Sequence, residues 1–350
     1  MVARRLPAGW YYGVSLPAFA LALVAAVAIG STPLAWSVVL QCAAKLLLPQ
    51  GWVDTSQVTK ADEVIFWMIR FPRVIVAALV GAGLATAGAI MQAIFRNPLA
   101  EPGLTGAGAG AVLGAVVAFV MGWSTQAPSS LPACAMAGSL LALAVVYFMA
   151  TRGGVTPMAS LLLAGIATTS LLSAISSLLL SLNIVNWQIA QEIVFWMMGG
   201  LDARSWTHVW LCGPFVLFGG LVALLYSPEL DLLQQGEEVA ASLGVNVEKT
   251  KRIFILTAAV LTGASVAVAG MVGFVGLVAP HAVRLLLGPS NRTLLPASAL
   301  CGALFLVLCD LMARTAHPPV ELRLGVITSL AGGPLFIALL LRRHQEASRA

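Results

Sequence analysis

The sequence predicts an all-α, polytopic membrane protein with about ten transmembrane helices. Hydrophobic residues make up 59% of its 350 residues and charged residues 9%, whereas soluble domains carry roughly 25% charged residues. A soluble fold of this length would leave apolar side chains on its surface and would self-associate. The apolar runs are continuous and do not alternate with polar residues, which argues against a transmembrane β-barrel. We therefore predict one transmembrane domain over residues 1–350.

Each predicted span is a run of about 20 mainly apolar residues. The spans are predicted at about 14–34, 70–95, 104–121, 132–150, 157–182, 206–226, 253–272, 273–288, 294–313 and 324–341. The Leu-rich stretch up to Leu48 is a candidate extension of the first span, and the second span is expected to begin at Arg70. Pro280 is expected to break the span at 273–288 into a partial helix. A mixed segment at 187–198, which contains Trp and Phe, suits a short helix at the membrane interface.

The distribution of basic residues predicts that both termini lie in the cytoplasm. With that orientation, twelve lysines and arginines fall in inside loops and seven fall outside, in the direction of the positive-inside rule. The inside set includes Arg4, Arg5 and Arg349 near the ends of the chain. The net charge of +5 does not indicate nucleic-acid binding, because the basic residues are scattered over loops.

The longest stretch that lacks an apolar run hydrophobic enough to cross a membrane lies between the sixth and seventh spans, at about 229–250. Its acids come first, including Glu237 and Glu238, and its bases follow, including Lys251. The apolar residues between them favour one side of a short helix, which Gly244 can end. Such an element is typical of a surface that another protein grips, and a solvated connecting loop is the alternative.

Few residues in the spans are candidates for chemistry. The five cysteines form no CxxC pair and are predicted to be packing residues. The sequence contains no P-loop motif, so the chain is not expected to hydrolyse nucleotide itself. Ionisable groups such as Asp310 are rare in the spans, which argues against an ion-coupled secondary carrier. A lone histidine such as His281, beside a helix break, more often satisfies backbone groups than binds a metal.

Three arginines on the predicted outer side run against the positive-inside trend, namely Arg70, Arg73 and Arg314. Arginine and carboxylate form strong, often bidentate pairs. An exposed ring of these arginines is therefore a candidate dock for an acidic soluble protein, and anchors that snorkel from helix ends are the alternative. Asp310 and Arg314 are four residues apart and are predicted to pair on one helix face.

Several stretches resemble a known family. The resemblance rests on RFPRVIVAALVGAGLATAGAIMQAIFRNPLAEPGLTG at 70–106, LLLAG at 161–165, FWMMGGL at 195–201, GEEVAASLGV at 236–245, GFVGLVAPHAVRLLLG at 273–288 and ELRLGVITSLAGGPLF at 321–336. With these motifs the chain resembles the FecCD-type permease subunits of ATP-binding-cassette importers for iron–siderophore complexes, haem and vitamin B12. The similarity covers nearly all of the chain after residue 65, in the same order and spacing.

This resemblance implies partners and site residues. The partners are a second copy of the chain, two cytoplasmic ATPase subunits, and a periplasmic substrate-binding protein. The implied ATPase-coupling residues are Glu237, Glu238, Ala240, Ala241, Leu243 and Gly244. The implied docking residues are Arg70, Arg73, Arg314 and Arg323, and the implied cytoplasmic gate consists of Asn97, Leu99, Met158 and Ala159. Arg323 departs from the family pattern, because many relatives carry proline there.

The predicted function is therefore inward movement of a metal chelate through a bacterial inner membrane by alternating access. Haem is the first expectation for the substrate and a ferric siderophore the next. Cobalamin is the alternative within the family, and an ion-coupled secondary transporter is the alternative from another class. We expect no catalytic residues, no metal site and no permanently bound cofactor, since ATP would act on the partner subunits.

Overall fold

The computed structural model describes residues 6–30, 34–47, 58–127, 129–318 and 320–347. Arg4, Arg5 and Arg349, on which part of the predicted orientation depends, lie outside the described residues. So does Leu48, the predicted limit of the first span's extension. The orientation of the termini therefore stays a prediction.

The described part of the chain is helical, and we number its α-helices in chain order. They are α1 (Ala8–Ala28), α2 (Trp36–Leu47), α3 (Lys60–Val64), α4 (Phe71–Ile94), α5 (Ala107–Val120), α6 (Trp123–Gln126), α7 (Ser130–Ala150), α8 (Met158–Leu182), α9 (Trp187–Met197), α10 (Trp206–Leu225), α11 (Ser227–Gln235), α12 (Glu237–Ser242), α13 (Val247–Ala269), α14 (Val275–Leu287), α15 (Asn291–Thr315) and α16 (Leu324–Ala347). A π-helical turn, Ile65–Arg70, joins α3 and α4 into one helix. A 3₁₀ turn, Pro102–Thr105, precedes α5.

Within the described residues, 7 helices are long and apolar enough to cross a membrane, and three shorter apolar helices fall at other predicted spans. The all-α polytopic fold is thereby confirmed. Two predicted boundaries are wrong. The chain leaves α1 at Ile29, whose backbone is extended, so α2 is a separate helix. The second span's helix begins at Lys60, well before Arg70, because Thr59 and Asp62 form a capping box that starts it.

Helices α4 and α13 form the centre of the bundle. In the most apolar 18-residue stretch of each of these helices, 78% is buried, whereas in that of α8 only 22% is buried. Small residues allow this close packing, because a methyl group on Gly81 would overlap the carbonyl of Gly302 in α15. Likewise, a methyl group on Gly88 would overlap the carbonyl of Gly276 in α14. Backbone-to-backbone contact of this kind is the usual way in which helices associate in lipid.

Helices α5 and α14 are too short to cross the bilayer. The 14 residues of α5 extend about 21 Å, less than the hydrocarbon thickness of about 30 Å. Irregular backbone precedes each of them, and before α5 it is covered by protein: the carbonyl of Leu104 packs on Gly165 of α8. Such backbone is tolerated at membrane depth only when it is buried in this way. The prediction of a partial helix at 273–288 is confirmed by the 13 residues of α14, but Pro280 lies inside this continuous helix, so the predicted break at Pro280 is wrong.

We call the end of the bundle that holds Arg70 and Arg314 the outer end, and the end that holds α11 and α12 the inner end. The candidate site residues lie in two groups, one at each end. Helix α4 joins them, because Arg73 lies in its first turn and Arg96 follows its last turn.

Candidate functional site

Helices α11 and α12 form a hinged pair at the inner end, between the long helices α10 and α13. Gly236, with φ of 145°, separates the two helices, and Gly244, with φ of 86°, follows the end of α12. Both conformations suit glycine, which lacks a Cβ atom. We call residues 227–244 the coupling pair, after the role that the sequence resemblance implies for them.

The coupling pair has a buried side and an exposed side. Its buried residues include Leu230, Leu233 and Ala240. Its exposed residues at the α12 end are Glu238, Val239, Ala241, Ser242, Leu243 and Gly244. The side chain of Leu243 is 62% exposed and that of Val239 is 42% exposed. Exposed apolar residues beyond the membrane-spanning helices are typical of a surface that a partner covers.

One of the implied ATPase-coupling residues does not belong to this exposed side. Ala240 is completely buried against the bundle and supports α12 from beneath, so its coupling role stays a prediction. The side chain of Glu237 is 40% exposed, and one of its carboxylate oxygens lies 3.1 Å from Nζ of Lys251. Glu237 therefore links the coupling pair to α13, and Glu238 is exposed beside it.

Three further hydrogen bonds hold α11 in place. Nε of Arg96, which follows α4, donates to the carbonyl oxygen of Leu233 at 3.2 Å. Oδ1 of Asp231 accepts hydrogen bonds from the backbone N and from Nδ2 of Asn291, at 2.8 and 2.7 Å. Asn291 is the first residue of α15. The coupling pair is thus attached both to the end of α4 and to the start of α15.

A buried lysine forms the third attachment. The side chain of Lys251 is 2% exposed and contacts the carboxylates of both Glu237 and Glu248. Nζ also donates to the carbonyl oxygen of Thr156 at 2.9 Å. The backbone N of Thr156 in turn donates to Oε2 of Glu248 at 3.0 Å. We call these four residues the lysine cluster, and they join α12, α13 and the loop between α7 and α8.

The implied gate residues lie in two segments of the inner end. Asn97 and Leu99 are exposed in the turn after α4, where Oδ1 of Asn97 accepts from the backbone N of Leu99 at 3.0 Å. Met158 is half-buried and Ala159 is exposed, at the first turn of α8. The two segments therefore flank the coupling pair from α4 on one side and from the α7–α8 loop on the other.

An ion-pair network occupies the outer end. Nη2 of Arg73 lies 2.9 Å from Oδ1 of Asp310 and 2.9 Å from Oε2 of Glu321. Nε of Arg314 lies 3.1 Å from the other oxygen of Asp310, which confirms the predicted pair on α15. Nη1 of Arg323 lies 2.6 Å from Oδ2 of Asp202. Burial and the neighbouring Glu321 raise the pKa of Asp202 above its ordinary value.

The expected ring of exposed outer arginines is wrong. Arg70, Arg73 and Arg314 are 5%, 8% and 7% exposed. Arg70 donates to the carbonyl oxygens of Val27 and Ala28, both at 2.7 Å, and Arg314 donates to residues of the same helix end at 2.9 and 3.3 Å. The last carbonyls of a helix lack intrahelical donors and carry partial negative charge, which attracts cations.

Arg323 is the most accessible of the implied docking arginines. Its side chain is 25% exposed, and its guanidinium carbon lies 4.1 Å from the centroid of the Phe195 ring. A cavity of about 500 Å³ lies beside it, lined in part by Trp196, Asp202 and Arg204. This is a mixed aromatic and charged opening at the outer end.

Comparison with known proteins identifies the chain. Residues 18–342 match the model of the FecCD transport family. The chain belongs to this family.

Named relatives of this family member transport different cargoes. It is 43% identical over 292 residues to the cobalamin import system permease protein BtuC of Halobacterium salinarum, covering 83% of this chain and 77% of the relative. It is 41% identical over 292 residues to the hemin transport system permease protein HmuU of Yersinia pestis, covering 81% and 85%. A solved structure described as an inward-facing metal-chelate type ABC transporter superposes with a TM-score of 0.83, at 28% identity, over 95% of this chain and 99% of that one.

The site residues implied by the sequence of this FecCD family member do not include four residues that the structure places in the two groups. They are Arg96, Asp202, Lys251 and Glu321. Each makes its contact with a residue far away in the sequence or in a loop, except that Lys251 also pairs with Glu248 three positions earlier. That helical i, i+3 spacing was the one local signal available.

Proposed function

We propose that the chain is the permease subunit of an ATP-driven importer that carries a bulky metal chelate across the bacterial inner membrane. The observation that carries the proposal is the coupling pair, which exposes Val239 and Leu243 while it is hydrogen-bonded to the segments on both sides of it. A partner seated on this surface would be attached directly to α4 and α13. Movement of the partner would then alternate access to the two sides of the membrane.

The proposed assembly contains two copies of this chain, two ATPase subunits at the inner end and a binding protein at the outer end. The inner end is then cytoplasmic, and both termini lie there. Helices α8 and α10 expose apolar faces that lipid or the second copy would cover. Within one chain, only 22% and 28% of their most apolar 18-residue stretches is buried. ATP acts on the partner subunits, and the proposal includes no permanently bound cofactor.

The substrate is proposed only as a class. Relatives of this chain are named for cobalamin, hemin, Fe(3+)-citrate and iron(3+)-hydroxamate, and they share a bulky chelate that holds a metal ion. Haem and cobalamin have equal support, since relatives with these cargoes are 41% and 43% identical. The mechanism that we propose is the same for each.

Reconstitution tests this function. The permease, its cognate ATPase and its binding protein are placed in proteoliposomes with haem, a ferric siderophore or cobalamin. We expect ATP-dependent uptake of one of these cargoes, because the chain has few ionisable groups in its spans with which to couple an ion gradient. Uptake that follows an imposed ion gradient and ignores ATP would contradict the proposal.

Docking of the binding protein is proposed to use the outer ion-pair network. Arg323 is accessible as it stands, whereas Arg70, Arg73 and Arg314 are buried. A carboxylate on the partner would reach Arg73 by displacing Asp202 or Glu321, whose side chains are 45% and 37% exposed. The three buried arginines then contribute as the framework beneath the dock.

Charge reversal at Arg323 is expected to weaken docking. The variant Arg323→Glu places a carboxylate against Asp202 and repels an acidic partner, so the dissociation constant should rise by about tenfold or more. Binding of the substrate-binding protein to the permease in nanodiscs measures this. Lys60→Glu, an equal charge reversal at an exposed residue of the same end, is the matched control. Equal affinities for the two variants would contradict the role of Arg323.

A further inference from the structure

We propose that Lys251 is the residue that transmits movement of the coupling pair to the inner gate, through the loop between α7 and α8. In this role it is a positioning residue, which acts on Met158 and Ala159 through Thr156. The inference rests on the proposed function, because it assumes that a partner moves the coupling pair.

The hydrogen-bonding capacity of Lys251 is completely used. A lysine ammonium group has three donors and no acceptor. Nζ of Lys251 meets three acceptors, one from each of three segments: Glu237 in α12, Glu248 in α13 and the carbonyl of Thr156 in the α7–α8 loop. Since the side chain of Lys251 is only 2% exposed, separating it from any of the three acceptors would be costly.

The loop that Lys251 holds is short and leads directly into a helix. Arg152 and Val155 form a two-residue bridge, Thr156 is fully buried, and Pro157 is the residue before α8 with φ of −64°. Because proline has a fixed φ, the backbone between Thr156 and Met158 has little conformational freedom. A displacement of Thr156 is therefore passed to the first turn of α8.

Within one chain, fewer contacts oppose such a displacement of α8 than of α13. Only 22% of the most apolar 18-residue stretch of α8 is buried within the chain, whereas 78% of the corresponding stretch of α13 is buried. Rigid-body motion of a lightly packed helix breaks few contacts. When α12 moves, the ion pair between Glu237 and Lys251 therefore displaces the α7–α8 loop, while α13 stays in place.

The neighbouring basic residues do not offer this connection. Lys249 is exposed, and its backbone N donates to Oδ1 of Asn246 in the same helix turn. Nε of Arg252 donates to Oη of Tyr147 at 3.1 Å on an exposed face, which ties α13 to α7 but does not reach the coupling pair. Among these three bases in the described chain, Lys251 alone joins the coupling pair to the loop before the gate.

The test compares Lys251→Met with Lys249→Met in the complete reconstituted complex. Methionine keeps an unbranched apolar chain in the buried space and removes the charge and the three donors. We expect ATPase co-purification and ATP hydrolysis to persist in Lys251→Met while uptake per ATP hydrolysed falls by about tenfold. Lys249→Met should keep the unmodified ratio.

A spin label at Ser160, in the first turn of α8, adds a readout that a purely structural role would not change. The distance between the labels of the two copies should respond to ATP in the unmodified protein and in Lys251→Arg, but not in Lys251→Met. If Lys251→Met does not fold, Glu237→Ala replaces it, since that change cuts only the link to α12 and leaves Glu248 and Thr156 on the lysine. We expect the same loss of coupling.

The outcomes separate the two proposals. Absence of ATP-driven uptake in the unmodified complex would refute the proposed function itself. Normal uptake per ATP and a normal ATP-dependent distance in Lys251→Met would refute only the transmission. Loss of the ATPase subunits from both Lys251→Met and Glu237→Ala would also refute it, because the lysine cluster would then merely shape the docking surface.

Discussion

Replacement of Asp310 with alanine is expected to leave little folded protein. The carboxylate of Asp310 is 2% exposed and is shared by the guanidinium groups of Arg73 and Arg314, which lie on its two oxygens. Without it, two buried cations lose the carboxylate that they share, and the remaining carboxylates near Arg73, those of Asp202 and Glu321 at 3.8 and 2.9 Å, are both partly exposed. Removing one partner from a buried ion pair costs about 3–5 kcal/mol, a large part of the stability of a typical domain.

Size-exclusion profiles and thermal unfolding of the detergent-extracted protein measure this loss. Glu63→Gln is the matched control, because it removes a carboxylate from the pair with Lys45, in which both side chains are more than a third exposed. An exposed pair contributes about 0–1 kcal/mol, so this variant should unfold close to the unmodified temperature. If Asp310→Ala also did so, the network would not hold the outer end together.

Replacement of Leu243 with aspartate is expected to detach the ATPase subunits. The side chain is 62% exposed at the end of α12, so the change should not disturb folding of the permease. In the complex, a charge would replace an apolar side chain at the centre of the contact, where single residues contribute about 2 kcal/mol or more. That corresponds to roughly thirtyfold in affinity, and ATP-driven uptake should fall with it.

Co-purification of the ATPase with the tagged permease measures the effect of Leu243→Asp. Val155→Asp is the matched control, since Val155 is also an exposed apolar residue, 52% exposed, in the neighbouring α7–α8 loop. We expect that variant to retain the ATPase. Equal retention by both variants would contradict the coupling role of α12, and equal loss would mean that the partner covers a wider surface than the coupling pair.

The spans could be predicted from the sequence because lipid imposes a simple requirement. A backbone in hydrocarbon must satisfy its own hydrogen bonds, so apolar runs of sufficient length become helices. The start of the second span at Lys60 was missed, because the capping pair Thr59 and Asp62 lies in a polar segment that hydropathy assigns to a loop. Capping is decided by individual side chains and not by average polarity.

The burial of the outer arginines could not be predicted, because their partners are far away in the sequence. Arg73 and Asp310 are 237 positions apart in the sequence. Arg70 is 42 positions from Ala28, whose carbonyl oxygen accepts its hydrogen bond at the end of α1. Sequence reasoning placed these residues together at one end of the bundle, but exposure depends on which helices pack beside them. The same limit applies to Lys251, whose contact with Thr156 spans 95 positions.

The hydrogen bonds at the end of α1 have a consequence for biosynthesis. Arg314, which donates to the carbonyl of Ala26, is synthesised 288 residues after it. Before that point, Arg70 can already supply its hydrogen bonds to Val27 and Ala28. The end of α1 therefore gains its full set of arginine contacts only after α15 has been inserted.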